Sequence, residues 1–237
     1  MKVYKNSLSN KKLILSALLI FFSFFLFSVE NENLFKDPLV IKVCEELAKN
    51  KNTVGDFSQT KTITQSGRKL KSIGKFIISD MGIVWKTEKP FASTLVISEN
   101  KMVQTSASGK KTVMDGTDNQ IFQSISSVLS SLFMGNTEKL YENFEIVVKN
   151  SDFEAWNIEL SPKNQNIASV MKTFTLSGTL NSSENQTSQQ ANAILESLEI
   201  TENSGNTIKY EFSNQTYPQE LTNDEKQLFA IDWTFFF

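Results

Sequence analysis

Residues able to carry covalent chemistry are scarce in this chain. Its 237 residues include no histidine and a single cysteine, Cys44. Without histidine no Ser-His-Asp or Cys-His arrangement can form, and the commonest general base is missing. One cysteine makes neither an internal disulfide nor a cysteine-based zinc cluster. Carboxylates remain, so composition leaves room for a carboxylate-dependent enzyme or a calcium site, but no acid–base pair stands out and no cofactor motif is present. Cys44 falls with Leu39, Val40, Val43 and Leu47 at helical spacing, which reads as a small core residue on a helix over Pro38–Lys51 capped by Asp37. A reactive thiol or an attachment point is the competing reading. Twenty-four Lys and Arg against 26 Asp and Glu give a formal charge of −2, which is no footprint for nucleic acid.

The chemistry that the sequence does offer is apolar binding. Between Phe57 and Phe91 three runs suit short strands, Asp56–Thr64, Leu70–Ser79 and Ile83–Thr87, separated by Gln65-Ser66-Gly67 and Asp80-Met81-Gly82. They predict an antiparallel meander. In such strands Phe57, Gln59 and Lys61 share one face, and Gly74, Phe76 and Ile78 share another, so each strand is two-sided and its apolar face needs a cover or a ligand. Further strands are expected over Ala92–Ser98, Met102–Thr105, Lys110–Met114, Phe144–Lys149, Ala155–Leu160, Met171–Leu180, Ile194–Glu202 and Thr207–Phe212, with a polar loop over Asn181–Asn192. Asp118–Met134 changes character: Ile121, Phe122, Ile125, Val128, Leu129, Leu132 and Phe133 follow helical periodicity, and the opposite face is Ser and Gln without charge. This helix reads as a core helix on the sheet or as a lid over a lipid-binding surface, and a lid packs like a core helix when closed.

The ends of the chain differ from its middle. Lys2, Lys5, Lys11 and Lys12 precede the apolar run Leu13–Phe27, the layout of an export signal over residues 1–28, with an uncleaved N-terminal anchor as the alternative. The expected division is a signal over 1–28, one domain over 29–229 and an aromatic tail over 230–237, Ala-Ile-Asp-Trp-Thr-Phe-Phe-Phe. That tail suits membrane contact or a segment tucked against the domain; the strands are too rich in Lys and Glu for an integral barrel. About ten or eleven strands with two or three helices form a mainly β, α+β fold. A sheet of that many strands must curl, and a helix in its concavity leaves an unclosed antiparallel half-barrel around an apolar hollow. Such a hollow suits acyl chains, each buried CH₂ contributing about 0.8 kcal/mol.

The order Phe57-x-Gln59-x-Lys61, Gly74-Lys75-Phe76, Gly82-Ile83-Val84-Trp85, Lys89-Pro90-Phe91 and a Leu-Val-Ile strand resembles the LolA family of periplasmic lipoprotein carriers, in particular its branch with a Gly-apolar-x-Trp turn. The resemblance covers most of the chain after the signal and is strongest over Val54–Val103. It implies a half-barrel with a helical lid that takes the acyl chains of lipoproteins from an inner-membrane lipoprotein-releasing transporter to an outer-membrane acceptor, as a periplasmic monomer without cofactor. In the better-known carriers the turn before the Trp bears an Arg-Pro pair whose Arg holds the lid closed. Here Ser79-Asp80-Met81-Gly82 has neither, so another lipid or glycolipid handled with an exporter is the second reading. The expected acyl surface is Phe76, Ile78, Trp85, Leu95 and Ile97 from the sheet with Ile121, Phe122, Ile125, Leu129, Leu132 and Phe133 from the lid; a one-residue register error would exchange every sheet residue for its neighbour. Among the motif residues, Gly74 is expected to permit close backbone approach, Pro90 to mark a strand edge, Phe91 to fill the core, and Phe57 and Trp85 to be core or cavity wall.

Overall fold

Two meanders, one from each half of the chain, meet at the strands nearest its two ends and make a single sheet. In the computed structural model the described residues are 36–98, 101–115, 120–152, 155–180 and 193–230, with the side chains of 101, 114–115 and 120–123 outside the description. The expected export signal over 1–28, the polar loop over 181–192 and all but the first residue of the tail over 230–237 lie outside the described residues.

Helix α1 (Pro38–Ala48) starts where expected. The Asp37 carboxylate accepts from the Leu39 amide at 2.8 Å, so an otherwise orphan donor is satisfied, and Pro38 occupies the first turn where its missing N–H costs nothing. The first meander is β1 (Thr53–Ile63), β2 (Arg68–Ser79), β3 (Gly82–Lys89), β4 (Ser93–Ser98), β5 (Lys101–Ser106) and β6 (Lys111–Asp115). Helices α2 (Gln120–Phe133) and α3 (Thr137–Asn143) follow. The second meander is β7 (Phe144–Asn150), β8 (Trp156–Pro162), β9 (Met171–Leu180), β10 (Ala193–Glu202) and β11 (Thr207–Thr216), with the short helix α4 (Gln165–Ala168) between β8 and β9. Strand β1 pairs with β11, so the eleven-stranded order is β6-β5-β4-β3-β2-β1-β11-β10-β9-β8-β7. Every pairing is antiparallel, and β6 and β7 remain unjoined edges, so the sheet does not close into a barrel. The unclosed, mainly β architecture is the one the sequence predicts.

The helix count is higher than the two or three expected, for the described residues contain five. The clearest addition is α5 (Asn223–Phe229), whose N-terminus is a capping box: Thr222 Oγ1 accepts from the Glu225 amide, and the Glu225 carboxylate accepts from the Thr222 amide at 2.7 Å. It packs Leu228 and Phe229 on Ile77, Val84, Val96 and Leu221. These strand positions alternate with Phe76, Ile78, Ile83, Trp85 and Leu95, which belong to the main core. The first meander is therefore buried on both faces near the β2–β3 turn, which explains the unbroken apolar run Phe76-Ile77-Ile78.

The face opposite α5, called inner here, is covered by α1 and α2. Val40, Val43 and Leu47 of α1 and Ile125, Val128, Leu129 and Leu132 of α2 join the inner-face strand residues in one core. The nearest backbone neighbours of α2 are α1, α3 and α4, and it reaches the strands chiefly through side chains. Its whole length, Gln120–Phe133, carries no charged residue.

Candidate functional site

Where α2 faces the first meander, strand periodicity brings Ile83 and Trp85 of β3 beside Leu95 and Ile97 of β4. The register is direct, Trp85 opposite Leu95 and Ile83 opposite Ile97. Tyr210 arrives from β11, opposite Gln59 on β1. Ile125, Ser126 and Leu129 of α2 close the other side, and these eight residues line a cavity of about 10 Å³. That is room for roughly one water, against about 300–1,000 Å³ for a site that holds a small-molecule ligand. The apolar hollow expected from the sequence is thus filled by side chains of α2.

Trp85 is the hub of this site. Its ring lies 4.7 Å from Phe57, 5.0 Å and edge-on to Tyr210, and 6.0 Å from both Phe76 and Phe212. Aromatic pairs at such separations favour one another by about 0.5–1.5 kcal/mol beyond their buried area. The indole is 7% exposed, and its Nε1–H has no acceptor among the described residues. Leaving a buried donor unpaired costs about 1–3 kcal/mol. Burial also raises the pKa of the neighbouring Tyr210 hydroxyl, which stays protonated at any physiological pH. Two of the residues lining the cavity, Trp85 and Tyr210, thus carry neutral polar groups that are potential donors among apolar side chains.

A cleft of about 630 Å³ abuts the cavity and shares Ile83, Ile97 and Ser126 with it. Asp80, Met81 and Gly82 of the β2–β3 turn form one wall; Ser130 and Met134 lie across from them, with Lys139, Lys226 and Phe229 at the margins. The turn that carries Arg-Pro in the better-known carriers thus borders this cleft, here with Asp80. No charge on α2 is available to be held by it.

Of the expected surface, Trp85, Leu95, Ile97, Ile125 and Leu129 line the cavity. Phe76, Ile78, Leu132 and Phe133 are buried in the surrounding core, and the side chains of Ile121 and Phe122 lie outside the description. Ile83, Tyr210 and Phe212 were not among the expected residues. The alternation Ile208, Tyr210, Phe212 was the available signal, but only the long-range pairing of Phe57 with Phe212 puts it at this site.

The motif residues sort by physical role. Gly74 stands opposite Phe57, and a Cβ there would come within 2.0 Å of the Lys86 carbonyl oxygen and 2.9 Å of the Phe57 ring. Lys61 pairs with Glu202 at 3.0 Å across β11, and Gln59 is half-buried beside it. Pro90 lies in the β3–β4 turn after a cis bond. Phe91 corrects the expectation of a core residue: it is 83% exposed, because the turn carries it past the last strand pairing, Thr87 with Ser93, and beyond every covering helix. Cys44 is fully buried on α1, and burial pushes its thiol up to about 12. Among the described residues no three His, Cys, Asp or Glu side chains group as metal ligands, and no helix is long and apolar enough to cross a membrane.

Comparison with solved structures finds similarity to a DUF1329 family protein from Desulfovibrio piger (8% identity, TM-score 0.44, covering 79% of this chain and 96% of that one). A LolA superfamily protein from Nitrosomonas europaea is also similar (7% identity, TM-score 0.47, covering 82% and 97%). Comparison with curated proteins gives no match. The family described as outer membrane lipoprotein carrier protein LolA matches residues 48–231, a span that runs from the end of α1 through all eleven strands and α2. With its unclosed antiparallel sheet and the helix α2 over the Trp85 cluster, this chain belongs to the LolA family.

Proposed function

We propose that the protein is a periplasmic carrier that binds the acyl chains of lipoproteins between the inner face of the sheet and α2, and takes them from an inner-membrane lipoprotein-releasing transporter to an outer-membrane acceptor. It is a binding protein rather than an enzyme. The observation that carries the reading is the interface itself. An uncharged helix, fastened to the sheet by side chains and backed mainly by other helices, covers an aromatic wall that is complete without it. Swinging α2 away exposes Ile83, Trp85, Leu95 and Ile97, and each CH₂ of an incoming chain recovers about 0.8 kcal/mol of the apolar burial that the helix gives up. The exchange is nearly neutral by design, which suits a protein that must both take up and release its cargo. The unpartnered Trp85 indole N–H also supports it, since the ester or amide carbonyl of an acyl group would satisfy that donor.

A second reading rests on the β2–β3 turn. Asp80 stands there in place of the Arg-Pro of the better-known carriers, and α2 offers no charged residue for an ionic latch, so a lipid or glycolipid handled with an exporter is the alternative cargo. A photo-crosslinker at Leu129 in the exported protein, with adducts identified by mass spectrometry after irradiating cells, separates the two. Acylated lipoproteins are the expected adducts. Lipid or glycolipid without protein selects the second reading, and no acyl species at all removes the acyl site.

A further inference from the structure

One end of the first meander combines exposed apolar side chains with an excess of cations that the acyl site does not use. Successive antiparallel strands alternate in direction, so the β1–β2, β3–β4 and β5–β6 turns lie at the same end, opposite the cleft beside Asp80. Phe91 projects from the middle turn at 83% exposure, and Leu70 and Ile73 on β2 are 46% and 44% exposed. Around them Arg68, Lys69, Lys71, Lys89, Lys110 and Lys111 are all exposed. In the stretches 64–71, 88–93 and 105–111 that build this end, Glu88 is the only acidic residue. The nearest carboxylates on the adjoining strands, Glu202 and Glu211, are engaged by Lys61 and Lys209. The chain as a whole is acidic, with a formal charge of −2, so this cationic end is a local segregation and not a reflection of overall charge.

We propose that this end docks on an anionic lipid bilayer, with Phe91 entering the interface between headgroups and acyl chains while the six cations lie among the phosphates. A bilayer accepts an aromatic tip and its surrounding ammonium groups at once, because long Lys stems let the charge stay at headgroup level while the apolar side chains go deeper. The three turns lie side by side at one end of the sheet with Phe91 and all six cations exposed, which fits a broad lipid surface better than a single acidic side chain or segment. Each Lys or Arg near an anionic membrane strengthens attachment about fivefold, so the cluster is enough for reversible docking. The inference is independent of what the Trp85 site carries.

The test uses the full chain with an environment-sensitive fluorophore on Phe91→Cys, and separately on Ser151→Cys at the opposite end of the sheet; Cys44 is buried and does not compete for label. Vesicles of phosphatidylglycerol or of phosphatidylcholine carry a quencher on their acyl chains. The expected result is quenching at position 91 with phosphatidylglycerol only, none at 151, and loss of quenching at about 1 M salt, where charges are screened beyond about 3 Å. Replacing Lys69, Lys71 and Lys110 together by Gln should weaken docking about a hundredfold. Equal quenching in phosphatidylcholine, a label at 91 that stays in water with phosphatidylglycerol, or an unaffected triple variant overturns the proposal. Shielding of position 91 by an acidic protein, with none by vesicles, overturns it in favour of a protein partner.

Discussion

Trp85 can sit at the centre of four other aromatic side chains because Gly74 across the β2–β3 and β1–β2 pairings leaves room for Phe57 to lie against it. The space is claimed twice, by the Phe57 ring and by the Lys86 carbonyl, so Gly74→Ala must move a strand or the ring. Overpacking of this kind costs about 1–3 kcal/mol. Chemical denaturation should show that loss for Gly74→Ala, whereas Gly109→Ala, in an open turn, should show only the smaller strain of its positive φ. Cys44 is the other residue whose behaviour follows from its surroundings. Burial in the main core raises its thiol to about 12, so the neutral form persists through pH 7 and the nucleophilic thiolate is almost absent. A thiol reagent at neutral pH should leave the native protein unmodified and react fully once it is unfolded in denaturant. Rapid modification of the native state would show instead that α1 opens readily.

Among the elements, α2 ties the helices to the aromatic wall. Leu129 is fully buried and reaches the cavity wall, so Leu129→Ala should destabilise the closed position by about 2–5 kcal/mol. If α2 moves as a lid, amide hydrogen exchange should rise along Gln120–Phe133 while β1 and β11 keep their protection, since opening then draws on a local and not a global equilibrium. Uniform loss of protection across the sheet would mark α2 as a permanent core helix. The two short helices beyond the expected count make a related point. The capping box at Thr222 and Glu225 was readable in the sequence as Thr-x-x-Glu ahead of Leu228 and Phe229, and its partner surface on the outer face was not.

For the whole molecule, the seam between β1 and β11 joins the two halves of the chain, and charged groups flank it. Asp56 accepts from Lys75 at 2.7 Å and from Asn214 at 2.8 Å, and these contacts hold its carboxyl below the ordinary range. For Glu202, burial works to raise the pKa, but hydrogen bonds from Asn206, Lys61 and Ser204 outweigh it and hold it low. Glu211 is lowered by Lys209, although both are well exposed and contribute little. A carboxyl whose folded pKa lies below its unfolded value, about 4, adds stability above that value and loses it as pH falls through the folded one. Thermal melts should therefore show a plateau near neutrality and a decline below about pH 4, with Asp56→Asn and Glu202→Gln each flattening part of that decline.

What the sequence determined by itself was local: period-two alternation that marks most of the strands, the Asp37–Pro38 start of α1, the charge-free periodicity of α2, and the missing histidine that removes the commonest catalytic arrangements. These follow from backbone geometry and side-chain chemistry within a few residues. Which strands are neighbours, and what each face meets, came from long-range packing. It brought Tyr210 and Phe212 to Trp85 through the pairing of β1 with β11, and it packed α5 under Ile77, Val84 and Val96. It also filled the hollow with Ile125 and Leu129 and set Phe91 outside the core. Alternation says that a strand has two faces, but which face is wet depends on partners more than a hundred residues away.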